Sequence, residues 1–348
     1  MQNSPHPFIK QFEHACPSIK YRLLSEIFGQ SPSSRGMVEL QTQILSDPTV
    51  RTVMQWQQPD GWLGWNFHGT KSIETGIRLL CEKGVKRNHP VLVKALHALE
   101  KLTSRLDRGL GKPGVILDKK GLGGALLIRA TIFAYAGREN KPFIQEQINK
   151  ALNGFNTVLA VRSTAEITEN YKDKLVFRPD IQWPSIYHLR LLALTHGWRT
   201  TANQKLVTGA IRRLIELSPL PAILVRNNSQ IISPASFCML DFNPEMSQLD
   251  GAHWMMWFHR MECLARLGVV KSIPELQRQV RTLADHLEAD GLFTKKLSHP
   301  YFARWGAYSG LMLEDNWRTP NKRIYDLSFR SKLILHYAEV VPDHRPSY

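Results

Sequence analysis

Apolar residues along this chain recur at steps of three and four, the period of a helix with one buried face, and stretches of strict alternation are few. Prolines stand where several of these patterns begin, and glycines where they stop. Pro17 opens PSIKYRLLSEIF, which stops at Gly29; Pro90 opens PVLVKALHALEKL; Pro142 opens PFIQEQINKALNGF. Pro184 opens PSIYHLRLLALTH before Gly197, and Pro274 opens PELQRQVRTLADHLEA before Asp290-Gly291. The missing proline N–H is harmless there, because the first turn of a helix offers no intrahelical acceptor. Residues 161–182 and 226–247 break the pattern: both are polar and proline-bearing, and they predict connections with short extended pieces.

Six segments repeat one design, an apolar or aromatic run, a central Arg, more apolar residues and in most a terminating Gly. SIKYRLLSEIFG, IETGIRLLCEKG, ALLIRATIFAYAG, SIYHLRLLALTHG, WMMWFHRMECLARLG and YDLSFRSKLILHYAE centre on Arg22, Arg78, Arg129, Arg190, Arg260 and Arg330. The arginines stand 51 to 70 residues apart, about the length of two helices with their loops. Several of these helices are apolar most of the way round, as a helix packed on both sides must be. The intervening ones carry a single stripe, such as Ile273, Leu276, Val280, Leu283 and Leu287. That alternation predicts inner and outer layers in an all-α domain of about six helix pairs; an α/α toroid or a curved helical array satisfies it. We expect one domain over residues 1–348, with N-terminal helices in 8–57 packing on the barrel.

Composition narrows the class. At 348 residues, 43% hydrophobic and 22% charged, the chain is ordinary globular material. Cys16, Cys81, Cys238 and Cys263 are scattered without C-x-x-C spacing, and His253 and His259 lie six apart, so we expect no metal and no cofactor. The opening MQNSPHPFIKQF has no signal-type apolar core, and no run approaches the roughly 18 apolar residues of a span. The expectation is a cytoplasmic protein with no membrane span. A net charge of +15 favours anionic partners: diphosphates, uronate-bearing sugars, nucleic acids or an anionic membrane surface. Basic residues are dispersed instead of gathered in an arm, and no helix-turn-helix, zinc knuckle or P-loop is present.

QWQQPDGWLGW at 55–65 places Gln, Asp-Gly and Trp just before a helix, and HLEADGLF at 286–293 is a fainter copy. With PSIKYRLLSEIFG near the start and EDNWRTPNKRIYDLSFRSKLILHYAE near the end, the chain resembles uncharacterised bacterial toroid proteins of the terpenoid cyclase and protein prenyltransferase superfamily, with its QW-type repeat. The resemblance implies an α/α barrel with a central cavity at the N-terminal ends of the inner helices. It carries over no mechanism. The chain has no D-x-D-D cluster for acid-initiated cyclisation, no D-D-x-x-D for metal-bound diphosphate, and no Asp two positions before a Cys for zinc. Asp60-Gly61 reads as a turn.

Placing the Arg-centred helices inside makes their N-terminal halves the candidate site. Asp250, His253, Trp257 and Arg260 follow steps of three, four and three and so share a face; Trp183, Tyr187 and Arg190 do the same. Asp326 and Arg330 repeat the theme, and Glu74 follows Trp62, Trp65 and His68. Glu74, Asp250, His253 and Asp326 are the candidate general acids and bases. Trp62, Trp65, His68, Trp183, Tyr187, Arg190, Trp254, Trp257, Arg260 and Arg330 would line a ligand cavity. Each also has a structural reading, the aromatics as core and the arginines as staples between layers. Three functions fit. The first is a cavity enzyme or binder for an anionic or isoprenoid-type ligand. The second is a carbohydrate-active α/α barrel, glycosidase or uronate lyase. The third is a basic helical scaffold for nucleic acid, held by phosphate contacts.

Overall fold

Pro17, Pro48, Pro90, Pro142, Pro274, Pro300 and Pro320 each occupy the first turn of an α-helix in the computed structural model, which describes residues 12–339. Pro184 instead stands two residues ahead of its helix. Ser185 is the N-cap there, in a reciprocal capping box with His188. The helices are α1 (Pro17–Arg22, running on as a π-helical turn over Leu23–Ile27), α2 (Arg35–Ser46), α3 (Pro48–Met54), α4 (Ile73–Glu82), α5 (Pro90–Lys101), α6 (Gly111–Lys119), α7 (Ala125–Tyr135) and α8 (Pro142–Ala160). They continue as α9 (Ile186–Leu194), α10 (Thr201–Leu217), α11 (Gly251–Arg266), α12 (Pro274–Ala284), α13 (Pro300–Ala303) and α14 (Pro320–Ala338). Among the described residues none is long and apolar enough to cross a membrane. The expected N-terminal helices begin at residue 8, and residues 8–11 lie outside the described residues.

The protein is mostly helical, and its strands fall in the two segments where the helical period fails. Strands β1 (Thr168–Tyr171) and β2 (Lys174–Phe177) pair antiparallel around Lys172 and Asp173, both at positive φ, as a tight two-residue hairpin turn requires. Strands β3 (Val225–Asn227) and β4 (Gln230–Ile232) form a second hairpin.

All six repeat arginines lie on helices that pack on one another in chain order: α4 on α7, α7 on α9, α9 on α11, α11 on α14, and α14 on α1 and its π turn. A second set flanks them, α2 on α1, α5 on α4, α8 on α7 and α9, α10 on α8, and α12 on α14. Burial follows this division. Every residue of α7 from Leu127 to Ala134 is buried, whereas α12 buries only Leu276, Gln279, Val280 and Leu283.

Both copies of the Asp-Gly sequence fold as the same turn. Gln57 bridges Leu63 and Leu287 bridges Phe293, both antiparallel. Asp60 accepts from the Trp62 N–H at 3.0 Å, and Asp290 from the Leu292 N–H at 2.9 Å. Gly61 and Gly291 sit at φ +88° and +81°. At Gly61 a Cβ would come within 2.9 Å of the Lys94 carbonyl oxygen, so both the backbone angle and the close approach demand glycine.

Residues 304–314 form an irregular strap across the arginine-bearing helices. Arg78 donates to the carbonyls of Ala307 (3.2 Å), Ser309 and Gly310 (3.3 Å), and Arg190 to Ala307 (2.9 Å). Arg330 donates to Leu311 at 2.9 and 3.3 Å, and the buried Lys83 ammonium to Leu313. Asp326 accepts from the N–H groups of Leu313 (2.7 Å) and Glu314 (3.2 Å) and from the Trp317 indole (2.6 Å). A buried strand-less segment must find partners for its backbone groups, and here the central arginines supply them.

Candidate functional site

The strap fills the place where the resemblance implies a cavity. Tyr308 lies over the N-terminal ends of α4 and α9, its ring 5.6 Å from that of His68, 6.0 Å from Tyr187 and 5.7 Å from Phe237. Beneath it the buried Glu74 carboxylate meets His68 Nδ1 at 2.7 Å and accepts from the Tyr187 hydroxyl at 2.5 Å. Burial works to raise the Glu74 pKa, but the bonds from His68 and Tyr187 and the charge of Arg190 bring it below its ordinary value. Sequence reasoning singled out His68, Glu74 and Tyr187, and the structure brings all three together, as a buried polar cluster whose members satisfy one another.

The large cavity lies at the other end. It has a volume of about 940 Å³ and is walled by the C-terminal turns of α4, α7, α9 and α11 with the end of α14. Its floor is an ion network. Glu82 Oε2 takes Arg22 at 2.6 Å and Arg330 at 2.9 Å; Glu262 takes Arg330 at 3.1 Å and Arg266 at 2.9 Å. Glu26 takes Arg22 at 2.5 Å and Arg266 at 2.8 Å, with the Tyr337 hydroxyl at 3.1 Å. Burial alone would raise the Glu26 pKa, yet Arg22 and Arg266 hold it down to about 2. Glu82 is likewise depressed against its burial, by Arg330 and Arg22. The floor therefore pairs three arginines with three glutamates and is electrically balanced.

The wall and rim are not balanced. Lys86, Arg87, Arg138, Arg190 and Arg199 face the same cavity, and none of them makes an ion pair among the described residues. Glu139 puts one negative charge near Arg199, while its Oε2 accepts from the His196 N–H at 2.5 Å. Part of this cation excess answers the partial negative charge at helix C-termini, as where Arg199 donates to the carbonyls of Ala193 and Thr195. Arg190 is different. It is 3% exposed, one nitrogen serves the strap, and its Nη2 is buried with no partner. His259 on the same wall also has a buried ring nitrogen, Nε2, without a partner. Burial, followed by the nearby charges of Arg190, Arg78 and Arg330, pushes its pKa well below the usual imidazole value. The thiols of Cys81 and Cys263, also on this wall, are pushed up to about 12 by burial, so neither is a nucleophile of ordinary reactivity.

Comparison with protein-family models, with curated proteins and with solved structures finds no match to the chain. The site is read from its own geometry.

The remaining candidates from the sequence do not gather at one cavity. Trp62 is core beneath the Arg105 guanidinium, and Trp65 is 69% exposed on the surface. Trp183 packs on Phe177 beside a small apolar cleft. Asp250 is the N-cap of α11 and pairs with His253 at 2.9 Å, both in solvent, because that end of the helix emerges from the molecule. Trp254 and Trp257 are buried with Phe258, and the Trp257 indole donates to Gln279 of the flanking helix α12 at 2.8 Å. Arg260 turns to the Cys238 carbonyl (2.9 Å) and the Phe242 ring. The spacing of 250, 253, 257 and 260 does define one face of α11, but that face looks outward to its packing partners. The residue toward the cavity is the neighbour, His259. Asp326 anchors the strap, and Arg330 belongs to both strap and floor. Among the described residues no group of three His, Cys, Asp or Glu could hold a metal ion.

Sequence reasoning missed Glu26, Glu82, Glu262, Arg266 and His259. A signal was there: Arg22 and Glu26, Arg78 and Glu82, Glu262 and Arg266 stand four apart near the ends of inner-type helices, which puts each pair on one face.

Proposed function

We propose that the protein binds a polar, anionic small molecule in the cavity at the C-terminal ends of its inner helices, and that these helices stand as the inner ring of an α/α toroid akin in architecture to the terpenoid cyclases. The order of helix contacts, with Glu82 of α4 reaching Arg22 of α1 and Arg330 of α14, supports a ring. The two like Asp-Gly turns support the kinship. The observation that carries the binding role is the buried Arg190 Nη2 with no partner, on a wall already rich in unpaired cations. Burying a guanidinium N–H without an acceptor is costly, and an anionic oxygen in the cavity removes that cost.

The same geometry weighs against the alternatives. A carbocation cyclase needs aromatic walls free of cations; Tyr21, Tyr135 and Tyr337 do line this cavity, but none of the five candidate tryptophans does, and the lysine and arginines facing it would repel a carbocation. Glycoside hydrolysis needs a carboxyl kept protonated beside an ionised one, whereas Glu26 and Glu82 are both held ionised. Thermal-shift measurements against phosphate, pyrophosphate, citrate, neutral oligosaccharides and short nucleic acids test the proposal. A ligand at 100 times its Kd adds about 2.7 kcal/mol. Small anions should raise the Tm, and less so in Arg87→Ala and Arg138→Ala, which remove exposed rim cations without touching the core. Stabilisation by nucleic acids alone, fading with salt, would favour the scaffold reading instead.

A further inference from the structure

We infer that the ligand carries a phosphate group in its dianionic form, which binds at Arg190 and His259 and draws a proton onto the imidazole. This rests on the reading of the cavity given above and deepens it. The charge follows from the cations on this wall. Arg330 has Glu82 and Glu262 for partners, but the buried Arg190 hydrogen-bonds only a strap carbonyl oxygen, and the carboxylate that bears on it, Glu74, is already engaged by His68 and Tyr187. Carbonyl dipoles solvate a guanidinium without neutralising it. With Lys86, Arg87, Arg138 and Arg199 also unpaired on this cavity, the wall carries several positive charges in excess of its carboxylates and favours a dianion over a monoanion.

The proton follows from what surrounds His259. Arg190 from α9, Arg78 from α4 and Arg330 from α14 bear on it electrostatically, and the Phe237 ring packs edge-on at 5.6 Å. On its own helix Glu262 is engaged by Arg266 and Arg330, and the buried Cys263 stays a thiol. The unliganded imidazole is therefore neutral, disfavoured as a cation by burial and by arginines. A dianion beside Arg190 reverses the sign of that field, and the unpartnered ring nitrogen becomes a donor to its oxygen.

The inference is tested with sulfate, a tetrahedral dianion that has no titration of its own near neutrality, by titration calorimetry on the full chain in two buffers of different ionisation enthalpy. Sulfate should bind with uptake of up to one proton. Its affinity should weaken as pH rises, by up to tenfold per unit, because the bound state holds more protons. His259→Gln should retain binding and lose the uptake; His196→Gln, which alters the other imidazole at this cavity, should keep both. Acetate should bind far more weakly. Sulfate binding with no proton uptake, with uptake unchanged in His259→Gln, or with acetate its equal, overturns this inference and leaves the anion-binding reading standing. Stabilisation by no anion at all overturns both.

Discussion

At single residues, burial and charge set opposite pH dependences in different parts of the protein. Burial pushes Glu314 up to about 7 and Asp326 up to about 6. A carboxyl whose pKa is raised on folding makes the folded state bind more protons, so its contribution to stability falls as pH rises through that range. Glu26, depressed to about 2, does the reverse: its stabilisation is present above its unfolded value near 4.5 and is lost as pH falls toward 2. The Tm should therefore be a few degrees higher near pH 5 than at pH 7.5 and should fall steeply below about pH 4. Glu314→Gln, whose side-chain oxygen still accepts from the Cys16 N–H, should flatten the neutral limb and spare the acid one. Calorimetric scans across pH check both. Location decides equally for two neighbours on α11. Trp257→Ala should cost about 3–5 kcal/mol in denaturant unfolding, through the cavity it leaves, whereas the exposed His253→Ala should leave the Tm unchanged.

At the scale of elements, the strap shows why part of the site was legible in the sequence and part was not. Most helix starts, the difference between helices buried nearly all round and helices buried along one stripe, and both Asp-Gly turns are written in local signals: proline positions, periodicity, and a glycine at positive φ. The partner of a central arginine is not local. Arg78 meets residues 307–310, more than 220 positions away, and nothing in IETGIRLLCEKG distinguishes a carbonyl partner from a ligand. Spacing on α11 fixes which residues share a face but not which way that face looks, so it points Arg260 at a cavity that His259 faces instead. Arg78→Ala tests the strap directly. It removes a donor from three carbonyls, of which Ala307 keeps Arg190 and Ser309 keeps the Gly306 N–H while Gly310 is stranded, and should cost about 1–3 kcal/mol, with amide exchange accelerated first across residues 304–314. Uniform acceleration over the whole protein would mean that the strap has no independent opening.

Across the whole molecule, an early helix and a late one are joined through one oxygen atom. Glu82 Oε2 receives Arg22 from α1 and Arg330 from α14, while Glu82 itself ends α4. This network is where α1 and α14 meet α4. Glu82→Gln would leave Arg22, Arg266 and Arg330 to share Glu26 and Glu262, three arginines against two carboxylates, in a floor whose side chains are mostly buried. Breaking a buried pair by removing one partner costs about 3–5 kcal/mol, and the loss should be nearly insensitive to added salt, because screening acts on charges that solvent reaches. The exposed pair of Arg35 and Glu39 on α2 provides the contrast, with Glu39→Gln leaving stability unchanged. If Glu82 acts as a shared hub, Arg22→Gln and Glu82→Gln together should cost less than the sum of the two, since the double variant buries less uncompensated charge. Strict additivity in denaturant unfolding would mean that α1 and α14 hold their places without it.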